Sequence, residues 1–250
     1  MTGASRGIGA ALAIELAARG AGVVLVARSV EPLEKLAAEL GGEAFAADLA
    51  DAAAIEPIVR RIEAEGPIDL LVNNAGVDLT GDLVALPADE IARLVAVNLC
   101  APMLLCRAVI PGMRIRGRGH IVNVSSLAGT NAVPGLAPYS ASKAGLSHFT
   151  AGLRADLKGT PITTTLAELG TVESTMVEGL RAHEPTRRAL ARLERLHLSI
   201  DLDMGVVVDA LVDAIERDKR HVRLPLRDAL FPLIVEAPRR LTELLLVGVR

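Results

Sequence analysis

Short apolar runs alternate with longer amphipathic ones along most of this chain, and that alternation limits the possible fold more than any other feature. The runs at 23–27, 43–47, 68–72, 120–124 and 162–167 read as short strands, with 221–224, bounded by Pro225, as a last one. The stretches 7–19, 30–40, 51–65, 88–113, 138–157 and 204–217 read as helices. Alternation of this kind builds parallel βαβ units, so the expected fold is α/β, a doubly wound parallel sheet between two helical layers. Aromatic residues are only 2% and Trp is absent, so Ala, Val, Leu and Ile must fill the core. That composition suits strands buried on both faces. With 250 residues, no internal repeat and no low-complexity linker, one domain over 1–250 is expected.

A hydrophobic content of 51% excludes a disordered chain. A net charge of −3 without a basic block argues against a nucleic-acid partner. Cys100 and Cys106 lie six residues apart in one helical run and should not share a face, so neither a disulfide nor a metal site is expected. No metal is implied anywhere, and a reducing cytoplasm is the natural compartment. The chain opens without a basic-then-apolar leader, and no uninterrupted apolar run approaches the ~20 residues that span a bilayer. Residues 171–199 are longer than an ordinary connection and read as a variable substrate loop. Met176, Val177, Leu180, Leu190, Leu193, Leu196 and Leu198 there either pack the loop or admit a hydrophobic substrate. The tail near 226–250, with Leu241, Leu244, Leu245, Leu246 and Val247, is expected to pack on the domain, make a dimer contact or touch a membrane surface.

Thr2-Gly3-Ala4-Ser5-Arg6-Gly7-Ile8-Gly9 runs straight into an alanine-rich helix. Glycines let the backbone adopt positive φ and approach a ligand closely, and the helix end behind them offers free N–H groups to a phosphate. A buried strand should precede such a turn, yet only Met1 does. The first strand is therefore expected to be missing, most simply through a start placed too far downstream, since losing a central strand exceeds the ~5–15 kcal/mol that holds a domain together. The next strand ends in Ala27-Arg28-Ser29 with no carboxylate for a ribose hydroxyl. Arg28 could instead pair with a 2′-phosphate, with Arg6 beside it. Asp48-Leu49 ends the following strand where an acid could reach an adenine edge, although Asp48 could equally be a turn residue. Asn73-Asn74-Ala75-Gly76 closes the strand after that, and its small residues let a cofactor cross the strand ends or form an ordinary turn.

Tyr139-Ser140-Ala141-Ser142-Lys143 carries the lone tyrosine of the chain. A helix sets Tyr139 and Lys143 on one face, and an ammonium beside a phenol should pull its pKa below the usual ~10. Ser126 ends the strand thirteen residues earlier, and Asn98 lies in the preceding long helix. In order, and after the glycine turn, these segments resemble the short-chain dehydrogenase/reductase family over about residues 2–180. The resemblance implies a Rossmann-type sheet. It implies Tyr139 as catalytic acid/base, Lys143 lowering the tyrosine pKa and binding the nicotinamide ribose, Ser126 holding the substrate oxygen, and Asn98 supporting a water near the lysine. It also implies a cofactor held by Gly3, Ser5, Arg6, Gly7, Ile8, Gly9, Arg28, Asp48, Leu49, Asn74, Ala75, Gly76, Tyr139, Lys143 and Gly170.

Arg6 and Arg28 look like the NADP(H)-preferring branch, with NAD(H) also usable. The implied function is an NADP(H)-dependent oxidoreductase moving a hydride between the nicotinamide and a carbonyl or alcohol substrate. The implied assembly is a homodimer or homotetramer through the long helices. The chain departs from the family where the usual Pro-Gly is Leu169-Gly170, and where the following Thr appears as Ser174 beside Thr175. The competing reading is a non-enzymatic dinucleotide-binding regulator or an inactive truncated homologue.

Overall fold

In a computed structural model of the chain, residues 1–131, 133–172, 179, 182–195 and 201–225 are described. The tail near 226–250, together with Ser174, Thr175, Met176, Val177, Leu180, Leu196 and Leu198, lies outside them. Among the described residues six parallel strands form the middle layer. β1 (Val24–Ala27) pairs with β2 (Glu43–Ala46), and β3 (Leu70–Asn73), β4 (Gly119–Ser126), β5 (Ile162–Leu169) and β6 (His221–Leu224) follow one another in a second ladder. The slot between β1 and β3 holds the first residues of the chain. Thr2 bridges Val26 in parallel, Val26 N donates to Met1 O at 2.8 Å, and Thr2 N donates to Val72 O at 3.0 Å. Met1 and Thr2 thus occupy the slot between β1 and β3 and carry the glycine turn to its place.

Helices cover both faces because each presents an apolar stripe at helical spacing. On one face α1 (Gly7–Ala18), α2 (Val30–Leu40) and α8 (Met204–Glu216) bury Leu12, Leu16, Leu33, Val207 and Leu211. On the other, α3 (Ala52–Glu65), α5 (Ala101–Arg116) and α6 (Ala137–Asp156) bury Ile55, Val59, Leu105, Val109, Met113 and Leu153. The ends follow local chemistry. Asp51 accepts from Ala53 N to cap α3, Asp203 caps α8, and Gly41 and Gly117 take positive φ to end α2 and α5.

The long helix expected at 88–113 is three pieces: α4 (Ala88–Val95), a π turn (Ala96–Cys100) and α5. By length and composition Ala88–Arg116 is apolar enough to cross a membrane, with a mean hydropathy of 1.9. Its apolar residues have a different explanation here, since it buries Leu94, Val97, Leu105, Val109 and Met113 in this fold. Cys100 is exposed and Cys106 buried, so the two thiols do face apart.

Candidate active site

The carboxyl ends of the strands open into a cavity of about 790 Å³. Its floor is the glycine turn. Gly3 and Gly7 have φ of 64° and 57°, a region that suits glycine. A Cβ on Gly3 would lie 2.7 Å from Ala75 Cα, whereas one on Gly7 would meet open space. Arg6 caps α1 without a side-chain hydrogen bond, so the first N–H groups of the helix remain available beside Ser5, Gly7 and Ile8, which line the cavity. This is a cradle for an anion.

Gly9 stands behind it rather than in the lining. A Cβ there would fall 2.3 Å from Gly3 O and 2.5 Å from Asn74 Nδ2. We expect Gly9→Ala to displace the turn and lower the thermal midpoint by about 3–10 °C, read by circular dichroism.

Thr2, the first residue of the turn, holds it to the strand beside it. Its hydroxyl accepts from Asn74 N and Ala75 N, both at 3.1 Å, and donates to Val72 O at 3.3 Å. Asn74 Nδ2 returns two bonds, to Thr2 O and Gly3 O at 3.2 Å each. The first asparagine of the pair has another task. Asn73 turns into the core, donating to Asn123 Oδ1 at 2.8 Å, and Asn123 donates to Thr150 on α6 at 2.9 Å.

Ser126, the last residue of β4, shares the cavity with Tyr139 and Lys143 of α6. Tyr139 and Lys143 are 9% and 5% exposed. Their helix is seated on β4 by Ser125, whose hydroxyl donates to Lys143 O at 3.0 Å and shares a bond with the Ser147 hydroxyl. Lys143 Nζ donates to Val124 O at 3.0 Å and lies 5.9 Å from the centre of the Tyr139 ring. Asn98 sits on the π turn, a local widening that recurs at functional sites. Its Oδ1 accepts from Val77 N at 2.9 Å, and its Nδ2 donates to Val77 O and to Ser142. A Cβ on Gly76 would lie 3.5 Å from both Asn98 Oδ1 and Lys143 Nζ, which places this glycine between the two groups. Gly170 follows β5, donates to Leu224 O at 2.7 Å and lines the cavity.

At the other end Arg28 and Ser29 follow β1, while Asp48 and Leu49 follow β2. Of the two readings open for Asp48, an acid at an adenine edge or a turn residue, the structure shows the turn, with an arginine held beside it. Its Oδ1 accepts from Ala50 N, and both oxygens accept from Arg93 of α4, at 3.0 and 2.9 Å.

The segment read as a loop contains a helix, α7 (Glu184–Arg195). The fully buried Thr186 hooks it to the β4–α6 connection by donating to Pro134 O at 2.7 Å, and Leu190 packs on Leu136 and Val133. Leu190 and Leu193 line the cavity, where they form an apolar wall near Tyr139.

The short chain dehydrogenase family matches residues 1–185. The chain belongs to that family. Over 181 residues it is 39% identical to a ketoacyl reductase, HetN, of Nostoc sp., a match covering 70% of this chain and 63% of that protein, so it spans less than two thirds of that relative's length. It is 36% identical over 183 residues to the 3-oxoacyl-[acyl-carrier-protein] reductase FabG of Escherichia coli, covering 72% of this chain and 75% of the relative. A solved short-chain dehydrogenase from Sphingobium yanoikuyae, in complex with NADPH, superposes with a TM-score of 0.79 at 31% identity, covering 100% of this chain and 95% of its own. The Rossmann-like parallel fold is shared with such structures.

The electrostatics of this short chain dehydrogenase correct one expectation. Burial pushes the Tyr139 phenol up to about 12, a hydrogen bond with Ser126 opposes this, and the negative charge of Asp78 adds to it. Burial likewise pushes the Lys143 ammonium down to about 8. The expected lowering of the phenol by its neighbour is absent, because the ammonium is turned to Val124 O and is itself desolvated. Two residues organise this site in ways the sequence does not signal. Thr2 is read there only as the start of the glycine turn, without its bonds to the neighbouring strand. Arg93 is 45 residues from Asp48, and nothing local marks it.

Proposed function

We propose that the protein is an NADP(H)-dependent oxidoreductase acting on a carbonyl/alcohol pair, with Tyr139 as the acid/base. The observation that carries this reading is one cavity shared by Ser126, Tyr139, Lys143 and an uncapped helix end behind a glycine turn. The residues fit a dinucleotide: the turn admits no side chain at Gly3 or Gly9, and the uncapped end of α1 faces the cavity that Lys143 also lines. Gly3, Ser5, Arg6, Gly7 and Ile8 would hold the phosphates, Arg28 and Arg6 the 2′-phosphate, Leu49, Asn74, Ala75 and Gly76 the adenosine and its ribose, and Gly170 the carboxamide. Bound there, the nicotinamide supplies or accepts the hydride.

The chain's own groups handle the oxygen and its proton. In reduction, Ser126 and Tyr139 donate hydrogen bonds to the carbonyl oxygen, and Tyr139 passes its proton to that oxygen as the alcohol forms. In oxidation the same phenolate takes the proton back. Lys143 would bind the nicotinamide ribose, and Asn98 fixes the backbone at Val77. The apolar wall of Leu136, Leu190 and Leu193 suits a hydrophobic substrate, and the names of the relatives make 3-oxoacyl compounds the first to try. The apolar runs 95–105 and 144–153 on the long helices are read as permitting a contact between copies of the chain.

NADPH and NADH are each mixed with 3-oxoacyl thioesters, aliphatic ketones and aldehydes, and the loss of reduced-cofactor absorbance is followed. Turnover with NADPH on at least one carbonyl is expected. Dinucleotide binding without turnover on any carbonyl or alcohol would favour the regulator.

A further inference from the structure

Arg93 lies outside the cavity, yet it governs a charge inside it. The carboxyl ends of β1 and β2 are adjacent, with Ala27 paired to Ala46 and Ala47 N donating to Ala27 O at 2.9 Å. Arg28 and Asp48 therefore emerge side by side into the same end of the cavity. The charge of Arg28 acts on Asp48. They do not pair. Arg93 reaches from α4 on the far side, and its Nη2 spans both carboxylate oxygens, while Ala50 N occupies Oδ1 as well. Among the described residues Arg28 is left without a hydrogen-bond or ion-pair partner. Partial burial pushes the Asp48 carboxyl up, but the Ala50 N–H, the Arg93 guanidinium and the charge of Arg28 outweigh it, so Asp48 stays ionised. An ionised carboxylate beside Arg28 would both quench the arginine and repel an incoming phosphate.

We infer that Arg93 is a positioning residue for cofactor selection: by occupying Asp48 it keeps Arg28 free for the 2′-phosphate of NADP(H). The inference rests on the cofactor reading above. The side chains of Arg93 and Asp48 are 30% and 44% exposed, so as an isolated surface ion pair this contact would contribute little to stability. Its effect should appear in dinucleotide affinity.

The test is calorimetric titration of the full chain with NADP+ and with NAD+. Arg93→Met is expected to weaken NADP+ about tenfold and NAD+ less than about threefold. In an Asp48→Asn background the carboxylate charge is gone, and adding Arg93→Met should then change NADP+ affinity less than about twofold. Arg93→Lys keeps the charge but loses the guanidinium nitrogen that spans both oxygens, and is expected to lose about threefold, which keeps the test open if Arg93→Met fails to fold. Equal losses for both dinucleotides, or a loss undiminished in the Asp48→Asn background, overturn the inference and make Arg93 a direct charge on the phosphate or a structural residue. A wild-type chain that binds NAD+ but not NADP+, or neither, overturns the cofactor reading and takes the inference with it.

Discussion

Tyr139→Phe is expected to lower turnover by about a thousandfold while leaving NADP(H) affinity within about twofold. The change removes one hydroxyl and keeps a ring that is 9% exposed, so packing in α6 survives and the loss reports the proton. No second phenol exists to replace it, because the chain has a single tyrosine. Its environment also sets the direction of the pH profile. With the phenol pushed up to about 12 by burial, the free protein carries the proton that reduction consumes. Reduction should therefore be supported at neutral pH, and oxidation, which needs the phenolate, should rise with pH. Steady-state rates of the variant, together with a dinucleotide titration, check this. A variant retaining a tenth of the wild-type turnover would remove Tyr139 from the chemistry.

Lys143→Met is expected to stabilise the ligand-free protein while turnover collapses. The ammonium is buried with one carbonyl partner, Val124 O, and burial moves it from 10.5 to about 8. That displacement corresponds to about 3 kcal/mol of destabilisation at neutral pH. Losing the bond to Val124 O returns about 1 kcal/mol. The net gain should raise the thermal midpoint by about 4–8 °C at pH 7.

The pH dependence gives the sign. Because the folded-state value lies below the unfolded one, the penalty is full below about pH 8 and fades as pH rises from there toward 10.5. The advantage of the variant should shrink across the same window. Thermal unfolding at several pH values, without cofactor, measures it. A variant that melts below the wild type at pH 7 would mean that the ammonium is not a desolvated charge in this state. The site thus keeps an unfavourable group in place for its chemistry, as functional sites do.

The amino-acid sequence by itself determined whatever depends on near neighbours. The apolar periods placed all six strands and most helices within a residue or two, the glycines placed the phosphate cradle, and the four-residue spacing of Tyr139 and Lys143 placed them one turn apart on α6. These signals are short-range, because a strand or a helix imposes its own period on the side chains that must be buried.

Tertiary structure decided the rest. Whether Asp48 is free or held depends on Arg93, 45 positions away, and the seating of the glycine turn depends on a bond from Thr2 to a backbone 70 residues downstream. The conversion of a helical turn to a π turn at Asn98, and of an apparent loop to the helix α7, follows from packing against α6 and the β4–α6 connection. The direction of the Tyr139 and Lys143 shifts was illegible for the same reason. Spacing shows that a phenol and an ammonium are close, but desolvation is set by atoms that several distant segments bring around them, and here it dominates both shifts.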